Sequence, residues 1–375
     1  MVLPGVGKKL LFLVTEDWYF VSHRLHLALA ARRAGYNVVV ATRLASHGNL
    51  FRAVGLLPIS LEMSRGAYGP LADLRALWRI WRIYRNEQPD IVHHVALKSV
   101  LLGGLAARLA GVRRTVAAVA GLGYLYSGAG RAPLLASLLR MVMPFLVGSG
   151  RVIAQNLDDA NLLTTWGVPK AQIRLIRGSG VDIRRFMPCP EPDGIPLVLL
   201  HARMLWDKGV GEFVEAARLL KRQGPPVRFV LVGGPDPANP ASVPETTLRA
   251  WVDEGVVEWW GQREDIPAVL AACSIVCLPS YREGLPTSLI EAAACGRPIV
   301  TTNAPGCREV VRDGDNGFLV PGRDAPALAQ ALKRLLSNPA LRVRMGARSR
   351  ERAEAEFAEA RIVAETMAVY EELLS

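Results

Sequence analysis

The stretch SIVCLPSYREGLPTSLIEAAACGRPIVTT, residues 274–302, decides the fold. It opens on a short apolar run, SIVCLPS (274–280), and closes on another, RPIVTT (297–302), with a helix starting near Pro286 between them. Two continuously apolar strands joined through a helix read as a parallel pair covered on both faces. Proline suits the first helical turn, where its missing N–H costs nothing.

The same alternation continues outward. PLVLLHA (196–202) and VRFVLVGG (227–234) read as further strands. Between them KGVGEFVEAARLLKRQG (208–224) carries Val210, Phe213, Val214, Ala217 and Leu220 at helical spacing and stops at Gly224. Nearer the N-terminus, LLFLVT (10–15), NVVVAT (37–42), DIVHHVA (90–96) and RTVAAVA (114–120) are strands separated by helical segments such as His23–Ala34. A chain of 375 residues exceeds one ordinary core. The segment RRFMPCPEPDGIP (184–196) has four prolines and no periodicity, which marks a linker. The expectation is an α/β protein of two Rossmann-like, doubly wound parallel-sheet domains facing a central cleft. They span residues 1–185 and 197–357, with the linker at 186–196 and a C-terminal helix from about 358 to 375 packing back on the first domain. Ligands of such sheets sit beyond the carboxyl ends of the strands.

Composition narrows the classes. Half of the residues are hydrophobic, so two cores fill without disulfides or metals. Five cysteines with no C-x-x-C pair speak against zinc or a disulfide framework and for a reducing compartment. No signal peptide is evident, and no apolar run reaches the ~18 residues of a membrane span. The nearest, Ala132 to Val147, contains Arg140 and Pro144; it reads as a buried helix, with a shallow membrane-contacting segment as the alternative. The net charge of +11 is uneven: residues 1–185 hold 24 Lys and Arg against 9 Asp and Glu, the remainder 21 against 25. A basic first half implies an anionic surface as partner.

The chemistry concentrates in EGLPTSLIE, residues 283–291. The N–H groups of Gly284, Leu285, Thr287 and Ser288, at the loop and first helical turn, form an anion site. Glu291, one turn on, leans back over the same opening. A carboxylate beside a phosphate site makes sense when it accepts hydrogen bonds from hydroxyls, and a ribose offers two adjacent ones. Glu283 faces the other end of the ligand. In HARMLWDKG (201–209), Arg203 at a strand end and Lys208 at a helix start supply two cations for a diphosphate. Taken singly, each is an ordinary solvated charge; on consecutive strand–helix units of one domain they make a site.

These residues resemble a known family. Glu283 and Glu291 as E-x7-E, the preceding LPSYREGLP, the following EAAACGRPIVTTNAPGCREVV and the HARMLWDKG segment are similar to family 4 glycosyltransferases of the GT-B fold. The resemblance implies that Arg203 and Lys208 hold the donor diphosphate, Glu291 the ribose, and Glu283 with Gly284 and Leu285 the transferred sugar. It places the nucleobase near EWWGQRED (258–265), with Arg263. It further implies transfer with retention, no cofactor and no metal, and a leaving phosphate that helps deprotonate the acceptor. Asp313 and Asp315 in VRDGDNGF read as a polar turn rather than a metal site.

The first half is expected to hold the acceptor. EDWYFVSHR (16–24) and HHVALK (93–98) follow strands, which singles out His23, His94 and Lys98; a packing role is the alternative for each histidine. GLGYLYSGAG (121–130) is a weak phosphate-loop candidate. Family members place a histidine in this loop, which here begins with Ala120 and Gly121. Segment PLADLRALWRIWRIYRNEQ (70–88) interleaves Leu71, Leu74, Trp78, Trp81 and Ile83 with Arg75, Arg79, Arg82 and Arg85, as suits a membrane interface, with a domain helix of basic outer face as the alternative. SHR, HHVALK and AGLGY resemble bacterial enzymes that extend undecaprenyl-diphosphate-linked glycans. The expected partners are thus a nucleotide-sugar, preferably a UDP-hexose or UDP-N-acetylhexosamine, a lipid-linked glycan and an anionic membrane. The expected location is the inner face of the cytoplasmic membrane. A soluble acceptor, a sugar-nucleotide epimerase and a nucleotide-sugar-binding protein without turnover are the alternatives. Nucleic acid as a partner fails to explain a nucleotide-like site in the acidic half.

Overall fold

The computed structural model describes residues 5–63, 69–119, 122, 132–223, 226–237 and 239–375. The chain forms two compact units, Met1–Ser179 with Ala360–Ser375, and Gly180–Glu359.

Unit 1 is built on seven strands: β1 (Lys9–Glu16), β2 (Asn37–Arg43), β3 (Leu57–Ser60), β4 (Ile91–Val95), β5 (Thr115–Val119), β6 (Arg151–Ala154) and β7 (Ile173–Leu175). They pair in the order β3-β2-β1-β4-β5-β6-β7, all parallel. Alternate residues serve opposite faces. Leu10, Phe12 and Val14 pack with α2 (Leu25–Arg33) and Phe51 of α3 (Gly48–Ala53), while Leu11 and Leu13 pack under α4 (Pro70–Glu87) and α5 (Leu97–Ala110). The last helix, Glu359–Leu374, lays Ile362, Val369, Tyr370 and Leu373 on the first of these cores.

Unit 2 has six parallel strands: β8 (Leu197–His201), β9 (Arg228–Val232), β10 (Glu258–Trp259), β11 (Ile275–Leu278), β12 (Ile299–Thr302) and β13 (Gly317–Val320), ordered β10-β9-β8-β11-β12-β13. The strands named from sequence are all present. The segment 184–196 is not where the chain changes unit: that occurs at Ser179–Gly180 and again at Glu359–Ala360. Three arginines strap it onto unit 2 instead. Arg297 donates to Cys189 Sγ at 2.9 Å, Arg342 to Glu191 at 2.9 Å and Arg350 to the Phe186 carbonyl at 2.7 Å. Prolines removed the periodicity that would have announced this packing.

The apolar segment Ala132–Val147 is helical, but it is not a buried helix. Leu139, Met143 and Val147 face the core, whereas Leu138, Met141 and Phe145 are 51%, 72% and 56% exposed. Helix α4 has the same character: Ala76, Ile80 and Tyr84 are buried while Leu71, Leu74 and Trp78 stand in solvent among exposed Arg75, Arg79, Arg82 and Arg85. Among the described residues no helix is long and apolar enough to cross a membrane.

Candidate active site

In each sheet the winding reverses once, and the crevice at such a switch point is where open α/β sheets bind ligands. In unit 2 the reversal lies between β8 and β11, which pair through Val198–Ile275 and Leu199–Val276. Their carboxyl ends lead into HARMLWDKG and YREGLPTSLIE.

These two loops are bonded to each other. The Tyr281 amide donates to the Asp207 carbonyl at 2.9 Å, and Lys208 Nζ bridges to Glu283 Oε1, which also accepts from Ser280 Oγ at 2.7 Å. Glycine is required on both sides. Gly209 has φ +72°, and a Cβ there would meet the Pro279 carbonyl at 2.2 Å. Gly306, with φ +79°, backs against the carbonyls of Glu283 and Gly284, and the Glu283 amide donates to Pro305 O at 3.0 Å. The loops after β8 and β12 therefore hold the turn at Glu283 and Gly284.

The helix that follows is Thr287–Ala294, capped by Pro286. The Leu289 and Ile290 amides close on Pro286 O, which puts those of Thr287 and Ser288 at the open end of the first turn. Glu291 is next, its side chain 17% exposed and its Oε2 3.8 Å from His201 Nδ1. Burial pushes its carboxyl up to about 7, against the pull of Arg185. Burial lowers His201 to about 4. Arg203, two residues beyond the end of β8, is held by Asp236 at 2.5 Å.

Most residues expected to bind a donor thus come together: Lys208, Glu283, Gly284, Leu285, Thr287, Ser288 and Glu291 share the switch point, and Arg203 leaves the same strand. Arg263 follows the edge strand β10, is exposed, and makes its hydrogen bonds to Asp265 at 2.8 and 2.6 Å. Sequence reasoning missed His201, Ser280 and Asp236. His201 stood inside the quoted motif but carried no signal, because a histidine at a strand end is ambiguous until its neighbours are known. Asp313 accepts from the Leu319 amide at 2.9 Å and Asp315 pairs with Arg348, in keeping with a polar turn.

In unit 1 the switch point lies between β1 and β4. His94 was expected at a strand end facing an acceptor. It lies within β4, 1% exposed, with Nε2 3.0 Å from Tyr84 Oη, and a Cβ on Gly103 would strike its ring. The alternation of the strand turns it into the core, so the packing role holds. His93 likewise pairs with Tyr370 Oη at 2.6 Å. His23 ends α1 (Asp17–His23), stacked on Tyr19 at 4.2 Å with Ser22 Oγ at its Nδ1. Lys98 starts α5, bridges to Asp73 at 2.9 Å and lines a cavity of about 300 Å³ with Arg43, Glu62, Met63, Ala72, Asp73 and Ala76. Residues 123–130 of the glycine-rich loop, with Ala120 and Gly121, lie outside the described residues.

Two parallel doubly wound units, with a switch-point loop of E-x7-E form in the second, are the arrangement that the resemblance to GT-B glycosyltransferases implies. The comparisons identify the family. Residues 195–338 match the model described as Glycosyl transferases group 1, and residues 9–156 the model described as Glycosyl transferase 4-like. The chain is 32% identical over 312 residues to the N,N'-diacetylbacillosaminyl-diphospho-undecaprenol alpha-1,3-N-acetylgalactosaminyltransferase of Campylobacter jejuni, covering 78% of this chain and 80% of that protein. It is 26% identical over 286 residues to the UDP-Gal:alpha-D-GlcNAc-diphosphoundecaprenol alpha-1,3-galactosyltransferase of Escherichia coli, covering 73% of each. Anabaena Alr3699/HepE, solved in complex with UDP and glucose, shares the fold with a TM-score of 0.76 at 20% identity, over 96% of this chain and 99% of that one. The chain belongs to the family 4 glycosyltransferases.

Proposed function

We propose that the protein transfers a hexose or N-acetylhexosamine from a nucleotide diphosphate sugar, with UDP as the nucleotide, to a hydroxyl of a polyprenyl-diphosphate-linked glycan, retaining the anomeric configuration. The observation that carries the donor side is the bonding of the two switch-point loops through Lys208 and Glu283 beside the open first turn of Thr287–Ala294. In this reading the diphosphate lies across those amides with Arg203 and Lys208 as its counter-charges, and it needs no metal. Glu291 accepts from the ribose hydroxyls, and Glu283 positions the sugar. As the C1–O bond to the diphosphate breaks, charge grows on the leaving phosphate; fixed cations there supply the main catalytic term. The phosphate takes the acceptor hydroxyl's proton from the face it leaves.

The acceptor side rests on relatives whose names specify diphospho-undecaprenol sugars, and on unit 1. There Lys98 and Arg43 line a cavity together with Glu62, Met63, Ala72, Asp73 and Ala76. The exposed Leu71–Leu74–Trp78 stripe with its arginines, and the second stripe Leu138–Met141–Phe145, would rest on the anionic inner face of the cytoplasmic membrane.

The test is nucleotide release from UDP-, GDP- and dTDP-sugars, with and without short polyprenyl-diphosphate sugars, and with EDTA. The expected result is release stimulated by one lipid-linked acceptor, unchanged by EDTA, with a product of the donor's anomeric configuration. Tight binding without turnover under every acceptor would sink the transferase reading, and an inverted product would sink retention. Cosedimentation with anionic vesicles should be salt-sensitive and weakened by Trp78→Asp; retention equal on neutral vesicles counts against the membrane face.

A further inference from the structure

His201 closes β8 within the donor site, yet nothing assigned to that site so far uses it. Its Nδ1 is buried without a hydrogen-bond partner, and the nearest acidic oxygen, Glu291 Oε2, stands at 3.8 Å, just outside hydrogen-bonding range. Both side chains are largely enclosed, 20% and 17% exposed. A buried polar nitrogen left unsatisfied is unfavourable, and burial disfavours the charged form of Glu291. A donor from His201 to Glu291 would relieve both.

We propose that His201 is the positioning residue for Glu291: a bound nucleotide draws the carboxylate onto the ribose diol, and His201 Nδ1–H closes the gap to donate to the oxygen facing it. The inference rests on Glu291 as the ribose-binding residue. A neutral imidazole with its proton on Nδ1 and an ionised carboxylate are the states required, so the arrangement operates at and above neutral pH. Burial holds His201 neutral there and raises the Glu291 acid to about 7, so below that pH nucleotide binding must also drive the ionisation of Glu291. The charge bearing on Glu291 is Arg185, from the segment entering unit 2; Cys295, at the end of the same helix, is the other titratable neighbour. Without His201, the carboxylate would have Arg185 alone to favour its charged form.

Binding of UDP, GDP and their 2',3'-dideoxy counterparts, measured by calorimetry between pH 6 and 9 on the full chain, tests this. For the tighter-binding base, wild type should prefer the ribonucleotide at least tenfold, with affinity rising as pH passes through about 7. His201→Leu should cut that preference about fivefold and move the midpoint of the pH dependence upward. His201→Asn, whose amide N–H occupies the place of Nδ1, should restore the preference; its recovery excludes a folding defect. If His201→Leu keeps both the preference and the midpoint while Glu291→Ala loses the preference, the positioning role is wrong and the ribose reading stands. If Glu291→Ala also keeps it, or wild type shows none with either base, the ribose reading itself fails.

Discussion

The two sheets are wound alike, reversing at β1/β4 in unit 1 and at β8/β11 in unit 2, but their switch points are built differently. In unit 2 the segments beyond the strands carry Lys208, Glu283 and Glu291, all partly exposed, with Lys208 and Glu283 bonded across from loop to loop. In unit 1 much of the corresponding polar material is structural. Asp17, fully buried, takes the amides of Ala45, Ser46 and His47 at 2.8 to 3.0 Å; burial would raise its acid, but these bonds and that of Trp18 bring it down to about 2. Glu16 is bound by Arg43, and His94 is closed into the core. Position in the fold nominates a residue, and burial decides whether it can meet a ligand.

The largest expected effect follows from this contrast. Lys208→Ala removes the cation closest to Glu283 and should lower kcat by about 10²–10³, the range for losing one preorganised charge donor. Lys98→Ala, on the unit 1 side, should raise the acceptor KM about tenfold through one lost charge-assisted bond, with kcat within about threefold. Steady-state kinetics with donor and acceptor varied separately measures both. A kcat loss in Lys98→Ala as large as that in Lys208→Ala would break the distinction between the two switch points.

The contrast also explains what was legible in the sequence. Continuous apolar runs such as LVLL and IVCL gave the strands, and the Pro286 start gave the helix, because both signals are local. The residues expected to bind a donor come together because they fall in two short segments whose strands are neighbours. His94 misled because the alternation that turns it inward is invisible in DIVHHVA, where both sides of the strand are apolar. Pro-rich 184–196 misled because its attachment comes from Arg297, Arg342 and Arg350, more than a hundred residues away.

His94→Leu sharpens the comparison from the stability side. It leaves the Tyr84 hydroxyl unpaired in the core, which should cost about 1–3 kcal/mol at pH 7, measured by urea unfolding, while kinetic constants stay near wild type. The pH dependence has a definite sign. Burial depresses His94 to about 3 in the folded chain against 6.5 unfolded, so its contribution is present above 6.5 and is lost as pH falls toward 3. By pH 5 wild type has lost about 2 kcal/mol through this one group and the leucine variant none, so the gap between them should narrow. A changed acceptor KM in His94→Leu would return the residue to the site.

The smallest expected effect concerns the backbone between β4 and α5. Unit 2 uses glycine where its site loops need positive φ, at Gly209, Gly233 and Gly306. Unit 1 places Ala96 there instead, with φ 69° and ψ 159°, a region where a Cβ costs about 1–3 kcal/mol. The conformation is held from both sides: the Ala96 amide donates to Ala118 O at 3.1 Å, and its carbonyl accepts from the Val100 amide at 3.0 Å. Those bonds fix how α5 leaves the sheet, and so where Lys98, two residues on, stands beside Asp73. Ala96→Gly removes the strain but adds about 0.4–1 kcal/mol of unfolded-state entropy. The net should be a gain of about 1 kcal/mol, or about 2–4 °C in the melting of unit 1. An accompanying rise in acceptor KM would mean that the strain serves to hold Lys98 in place. A lower melting temperature would mean that the backbone there is not strained, and that the two switch points differ in their side chains alone.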